Sequence, residues 1–223
     1  NGRLLAFMTE ARGKVYLHYY DMVKEELDKI PFYRFEKIVS FDYSPDGKLF
    51  ILSAVQKGQS DLYVYNIASR TIDQLTSDIF DDLYPRFIDQ SSKVIFSSNR
   101  PSDTLHWDRV PDMQSTPERH DLFIYDLERR SALLRRLTNT PLADEILPRQ
   151  GQGGYFTYLS DENGIYNLYA GRFDSTISRV DTAIHYRYFI SSRPASDYAR
   201  NIMDYDLSPR ASQAAEIVFY DGL

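Results

Sequence analysis

Cysteine is absent from the 223 residues, which rules out disulfides, thiolate metal sites and thiol nucleophiles. Long apolar runs are absent too; no stretch approaches the roughly 18 residues that a membrane-spanning helix requires. There is no block of like charge: 26 Lys and Arg stand against 32 Asp and Glu, interspersed along the chain. That acidic balance argues against a nucleic-acid partner, which needs a basic stripe to displace counterions. The chain has no Gly-x-Ser-x-Gly elbow, no Gly-x-Gly-x-x-Gly loop and no P-loop. Gly151-Gln152-Gly153-Gly154 leads into a β-run rather than a helix, so it lacks the helix terminus that would hold a phosphate. His18, His106, His120 and His185 are far apart, without ligand spacing. Asp161-Glu162-Asn163-Gly164 lacks the alternating oxygens of a calcium loop and reads as a β-turn. No catalytic residue, metal or cofactor is therefore expected. The opening residues show no secretory leader pattern.

What is present is aromatic and repetitive. The 18 Tyr and 13 Phe against one Trp suit pleated, half-buried surfaces. Ser60-Asp61-Leu62-Tyr63-Val64-Tyr65-Asn66-Ile67 is echoed by His120-Asp121-Leu122-Phe123-Ile124-Tyr125-Asp126-Leu127. Related runs start at Val15 and Ile165. The first two are followed at similar distance by Gln74-Leu75-Thr76 and Arg136-Leu137-Thr138. Self-similarity at about 45 residues is the signature of a propeller blade. The fold class predicted is all-β: a β-propeller of four-stranded antiparallel blades, a partial ring of about four to five.

With strands labelled A to D from the innermost outward, the chain divides as a single propeller region, 1–223. A partial blade occupies 3–38. Blades follow at 40–77, 82–139 and 145–192, and a partial blade at 201–220. Beginning and ending inside blades, it reads as a fragment of a larger ring. Ser44-Pro45-Asp46-Gly47 supplies a tight A–B turn, since Pro presets φ and Gly accepts positive φ. Strand C alternates with period two, as expected with one face buried. Residues 98–120 insert between strands B and C and carry Trp107; residues 174–184 lengthen a C–D connection into a long loop. Helix is expected only in the insertions.

The segments Phe41-Asp42-Tyr43-Ser44-Pro45-Asp46-Gly47, Phe96-Ser97-Ser98-Asn99-Arg100, Leu159-Ser160-Asp161-Glu162-Asn163-Gly164 and Tyr205-Asp206-Leu207-Ser208-Pro209 resemble the repeats of the TolB-type propeller family, also called WD40-like or PD40 repeats. The resemblance implies three possible settings. One is a non-catalytic binding or scaffolding module, periplasmic or otherwise exported, whose partner is an envelope-associated protein or peptide. Another is the propeller of a prolyl-oligopeptidase-like or tricorn-like serine peptidase whose catalytic domain lies elsewhere. The last is a polysaccharide lyase, which would need two or more of His106, His120 and His185 close together.

A second recurrence supplies candidate binding residues. After each D strand an acid precedes an Arg: Asp82 and Arg86, Asp144 and Arg149, Asp197 and Arg200. The D–A and B–C loops leave a blade at the same end, so these residues and His106-Trp107-Asp108-Arg109 of the insertion are predicted on one rim. Two readings stand: a partner-binding face with Trp107 and Arg109 as anchors, or Asp–Arg pairs that hold neighbouring blades in register.

Overall fold

The structure, a computed structural model, describes residues 3–105, 118–208 and 213–220. Five antiparallel sheets follow one another among those residues, each with its strands adjacent in chain order. The first holds β1 (Leu4–Ala11), β2 (Lys14–Asp21) and β3 (Glu26–Phe32). The second holds β4 (Lys37–Tyr43), β5 (Leu49–Gln56), β6 (Gln59–Asn66) and β7 (Ile72–Gln74). The third is built from β8 (Asp82–Ile88), β9 (Lys93–Ser98), β10 (Asp121–Asp126) and β11 (Arg135–Arg136). The fourth contains β12 (Glu145–Gln150), β13 (Tyr155–Ser160), β14 (Asn167–Val180) and β15 (Ile184–Pro194). The last is the pair β16 (Ile202–Leu207) and β17 (Ala214–Val218). Simple meanders stacked in series are the blades of a propeller. The innermost strands β4, β8, β12 and β16 touch in that order around the axis.

The period-two alternation of strand C turns out to bury both faces, not one. Tyr63 and Tyr65 of β6 point back onto Val15, Leu17 and Phe32 of the first sheet. Leu62 points forward into a cluster with Val94, Phe96 and Phe123 of the third. One repeat later, Phe123 and Tyr125 share that cluster, while Leu122 and Ile124 pack with Phe156, Tyr158 and Tyr169 of the fourth sheet. A blade lies between two neighbours, so its strands have no solvent face over this stretch.

The recurrent Leu-Thr pair after strand D has a mechanical reason. The N–H of Leu62 donates to the Thr76 hydroxyl at 2.9 Å, and that of Leu122 to Thr138 at 2.8 Å. The N–H groups of Leu75 and Leu137 return to the carbonyls of Leu62 and Leu122. The fourth sheet repeats the pattern with Ser196, whose hydroxyl accepts from the Leu168 N–H at 2.8 Å.

The A–B turn at Ser44 closes as its residues predict: Gly47 has φ 74°, and the Ser44 hydroxyl accepts from the N–H groups of Lys48 and Leu49. Among the described residues the helical turns are 3₁₀ segments at Asp89–Ser91 and Gln152–Gly154. Both sit in A–B connections, where the inner strands reverse, rather than in the insertions. Residues 174–184 are not a loop. β14 and β15 run on past the blade as a two-stranded ribbon, paired from Phe173–Ile190 to Val180–Ile184. The apolar residues Phe173, Ile177, Tyr186 and Tyr188 keep a strand period through it. At its base Gly171 is obligatory, because a Cβ there would lie 2.3 Å from Ile190 Cγ2.

The described beginning of the 98–120 insertion does not rise over the channel. Leu105 donates to the Ala132 carbonyl and Leu134 to that of Asp103, with Thr104 bridged to Leu133. The segment therefore lies along the chain that enters β11, covering the outer edge of the sheet, where unpaired backbone groups would otherwise face solvent.

Truncating the doubly enclosed strand C should be costly. Leu62→Ala and Leu122→Ala, both fully buried, are expected to lose about 2–5 kcal/mol in urea unfolding. Ile177→Ala on the exposed ribbon should lose less than about 0.5 kcal/mol. Equal losses at all three positions would contradict the stacking described.

Candidate functional site

Aligning the sheets by their pairing shows which residues are equivalent. Asp82 opens β8 opposite Ser98, and Glu145 opens β12 opposite Ser160. The counterpart of Asp82 is thus Glu145, one residue beyond the Asp144 that spacing alone singles out. In an extended chain that single step reverses the direction of the side chain.

The two acids that open these strands are both pushed above the usual range by burial, but they have different partners. Asp82 is fully buried, and both its oxygens accept from Nη2 of Arg100, at 2.7 and 2.8 Å. Arg100 also reaches Asp78 at 2.9 Å and Ser98 at 3.0 Å, enclosed by the rings of Phe80, Phe96 and Phe123. Burial alone would lower the Arg100 pKa, but Asp82 and Asp78 outweigh it and hold the guanidinium charged. In the fourth sheet Glu162 stands where Arg100 stands in the third, two residues past the end of strand B. Glu145 therefore has no arginine; burial first, with Asp121 nearby, pushes its carboxyl above the usual range. Asp61, at the start of strand C, is 5% exposed. Burial, reinforced by Asp82 and Asp78, pushes it up to about 7.

Asp144 belongs to a second cluster at the D–A end. Its Oδ1 accepts from the His120 N–H and pairs with His120 Nδ1, each at 2.8 Å; its Oδ2 accepts from the Tyr166 hydroxyl at 2.6 Å. The Asp144 N–H donates to Asp161, which also holds Arg119 at 2.7 Å. Burial opposes it, yet the bonds from His120 and Tyr166 lower the Asp144 pKa. The network ties the third sheet to the fourth and leaves the Arg119 guanidinium half-exposed. His120 Nε2 is buried without a partner among the described residues. Among the described residues no serine or threonine hydroxyl is hydrogen-bonded to His120.

Asp82 and Arg86 do not meet, nor do Asp144 and Arg149. Both arginines lie near the far ends of their strands, toward the A–B turns, past bulges at Tyr84-Pro85 and Leu147-Pro148. Arg86 Nη1 donates to the Phe41 carbonyl at 2.9 Å and lies 3.5 Å from Asp42. Arg149 reaches Asp206 at 3.2 Å and the Tyr205 carbonyl at 3.0 Å. The four charged residues Asp42, Arg86, Arg149 and Asp206 occupy one position in four successive inner strands and line a cavity of about 540 Å³. Asp197 is exposed in the last D–A connection, and Arg200 lies over the Tyr220 ring. His106, Trp107, Asp108 and Arg109 fall outside the described residues. No group of three or more metal-ligating side chains occurs among the described residues.

Asp42 and Asp206 were legible in principle. Each stands two residues before the serine of a Ser-Pro turn, as Arg86 and Arg149 stand two before Ile88 and Gly151. Only an alignment on the A–B turns brings the four into one column. Arg100 and Glu145 carry no such signal until the pairing register is known.

Neither a protein-family model nor a curated protein matches the sequence. Solved structures do. TolB from Acinetobacter baumannii matches with a TM-score of 0.62 at 15% identity, over 95% of this chain and 45% of that one. A protein described as TolB from Agrobacterium tumefaciens gives 0.69 at 16% identity, over 96% and 66%. A puromycin-hydrolyzing peptidase of Mycobacterium tuberculosis gives 0.55 at 12% identity, over 94% and 34%. The fold is a TolB-like β-propeller, and the chain spans less than two thirds of each of these structures.

Two outcomes follow from the buried charges. Arg100→Met leaves Asp82 uncompensated and should cost on the order of 3–5 kcal/mol in urea unfolding. Asp61 carries a pH dependence. Its folded value of about 7 lies above the ordinary 3.8, so the stability associated with its neutral form is complete below about pH 4 and is lost as pH rises through about 7. Asp61→Asn, neutral throughout, should be more stable than the parent at about pH 8, by on the order of 2 kcal/mol, and close to it at about pH 4. A difference independent of pH would contradict the assignment.

Proposed function

We propose that this chain is a non-catalytic binding and scaffolding module of a larger exported protein of the bacterial cell envelope, with another protein or peptide as its partner. The observation that carries this is the likeness to two TolB structures along nearly the whole chain. Supporting it, the acids at the D–A end are engaged in holding the blades together: Asp82 with Arg100 inside the third sheet, and Asp144 with His120 and Asp161 with Arg119 between the third and fourth. A rigid ring of this kind leaves its end loops free to vary and to bind.

The D–A end is the proposed docking face. It offers half-exposed Arg119 and exposed Asp197. The insertion rejoins the fold there at Glu118-Arg119-His120, so Trp107 and Arg109 are proposed as anchors, with the rim charges setting association rate and salt response.

The likeness to a peptidase structure favours a second reading, in which the propeller gates a hydrolase domain carried by the same protein. A Gly-x-Ser-x-Gly elbow in that polypeptide, with hydrolysis of aminoacyl-naphthylamides, would decide for it. A lyase site on the propeller draws less support: His120 is held by Asp144 between blades, and His185 by Asp181 at the ribbon tip.

The test is site-specific photo-crosslinking in the native host, with fractionation of the tagged protein. A crosslinker at Arg119 should yield a discrete protein adduct from the periplasmic fraction, and one at exposed Asp46 in the A–B turn should not. Deleting 106–117 should abolish that adduct while the thermal unfolding temperature stays unchanged. Adducts only from Asp46, or a protein confined to the cytoplasm, would overturn the proposal.

A further inference from the structure

The inner-strand arginines point to a ligand site at the opposite end of the channel from the proposed docking face. Arg86 and Arg149 line the same cavity of about 540 Å³, together with Asp42, Asp206, Gln150 and the Gly151 backbone. Arg149 is only 9% exposed. Each guanidinium is anchored on one side by a neighbouring blade: Arg86 by the Phe41 carbonyl and Asp42 of the preceding one, Arg149 by the Tyr205 carbonyl, Asp206 and the Tyr205 ring of the following one. Each also retains a buried N–H, at Arg86 Nε and Arg149 Nη1, with no partner among the described residues.

The flanking acids do not fill those donors. Asp42 accepts from the Phe87 N–H through Oδ2 at 2.8 Å and lies beside Nη1 of Arg86, not Nε. Asp206 is paired with Arg149 through Nε, and its own Oδ1 also accepts from the Leu207 N–H. The two arginines are close enough to repel: burial, and next the charge of Arg149, pulls the Arg86 pKa down. Two like charges at the wall of a cavity are an arrangement that an oxygen anion relieves. It offsets the repulsion, and a small rotation of either guanidinium brings its enclosed N–H, unpartnered among the described residues, to the anion.

We propose that Arg86 and Arg149 form a binding site for an oxyanion group, a carboxylate or a phosphate, carried by a ligand that enters the channel from the A–B turn end. Bulges at Tyr84-Pro85 and Leu147-Pro148 precede both arginines, as register shifts after Ile38 and Ile202 precede Asp42 and Asp206 in the other inner strands. The Tyr84 and Leu147 backbones hold φ of 53° and 54°, a conformation costly for residues with a Cβ. The proposal is independent of the scaffolding reading, since it concerns the other end of the channel.

The experiment is titration of the full chain with inorganic phosphate and, separately, with acetate, at low ionic strength. Binding is read by calorimetry and by the NMR signals of the arginine Nε–H groups. Saturable binding of at least one anion is expected, with a shift of the Arg86 Nε–H signal. Arg86→Gln should weaken binding at least tenfold. Arg149→Lys, which keeps charge and bulk but loses the planar fork, should weaken it severalfold; circular dichroism verifies that both variants fold. Arg129→Gln, a change at an exposed arginine, should leave binding as it was. The two anions distinguish carboxylate from phosphate recognition. Failure of both to saturate overturns the proposal, as does weakening by Arg129→Gln equal to that of Arg86→Gln.

Discussion

The three four-stranded blades are apolar on both faces, and that constraint shapes the rest of the molecule. Leu62 and Tyr63 are adjacent in β6 and both fully buried, yet they belong to different clusters, one shared with the following blade and one with the preceding. A sheet of this kind has no solvent side on which to fold alone; its core exists only where two sheets meet. Each fully buried Leu, Tyr or Phe is worth roughly 1.5–3 kcal/mol relative to exposure. The energy is thus distributed over interfaces between repeats, as in other quasi-one-dimensional architectures. The strand C amides of Leu62, Leu122 and Leu168 donate to the hydroxyls of Thr76, Thr138 and Ser196 and so fix the outer end of each blade against its own sheet.

Polar groups enter this stack where it must be joined or turned. The Asp82–Arg100–Asp78 cluster sets two acids against one guanidinium among three phenyl rings: the acids hold Arg100 charged, while burial pushes the Asp82 carboxyl above its usual range. One blade later the arginine position holds Glu162, and the equivalent acid, Glu145, is driven toward its neutral form. The repeat keeps an acid at the start of strand A, and burial pushes both carboxyls up, but its partner differs from blade to blade. At the other end of the same strands, Asp42, Arg86, Arg149 and Asp206 place acid, base, base and acid in sequence around the cavity. The charges there are set by position in the ring.

The sequence alone determines the architecture. The spacing of Leu62-Tyr63-Val64-Tyr65 and Leu122-Phe123-Ile124-Tyr125, the Pro and Gly of the A–B turns and the Leu-Thr pairs are local features whose period is visible without coordinates. The TolB-like fold follows from them. What tertiary structure decided is which polar residues share a site. Asp144 and Glu145 differ by one position, and only the pairing of β12 with β13 shows that Glu145 matches Asp82. The ribbon of β14 and β15 reads as a long loop because its apolar residues are diluted by Ser, Thr and Arg; cross-strand pairing orders it. The acid and the arginine of Asp82-Leu83-Tyr84-Pro85-Arg86 look like partners in one dimension. A strand rises about 3.3 Å per residue, so four residues carry the arginine to the opposite end of the channel, where its neighbours come from other blades.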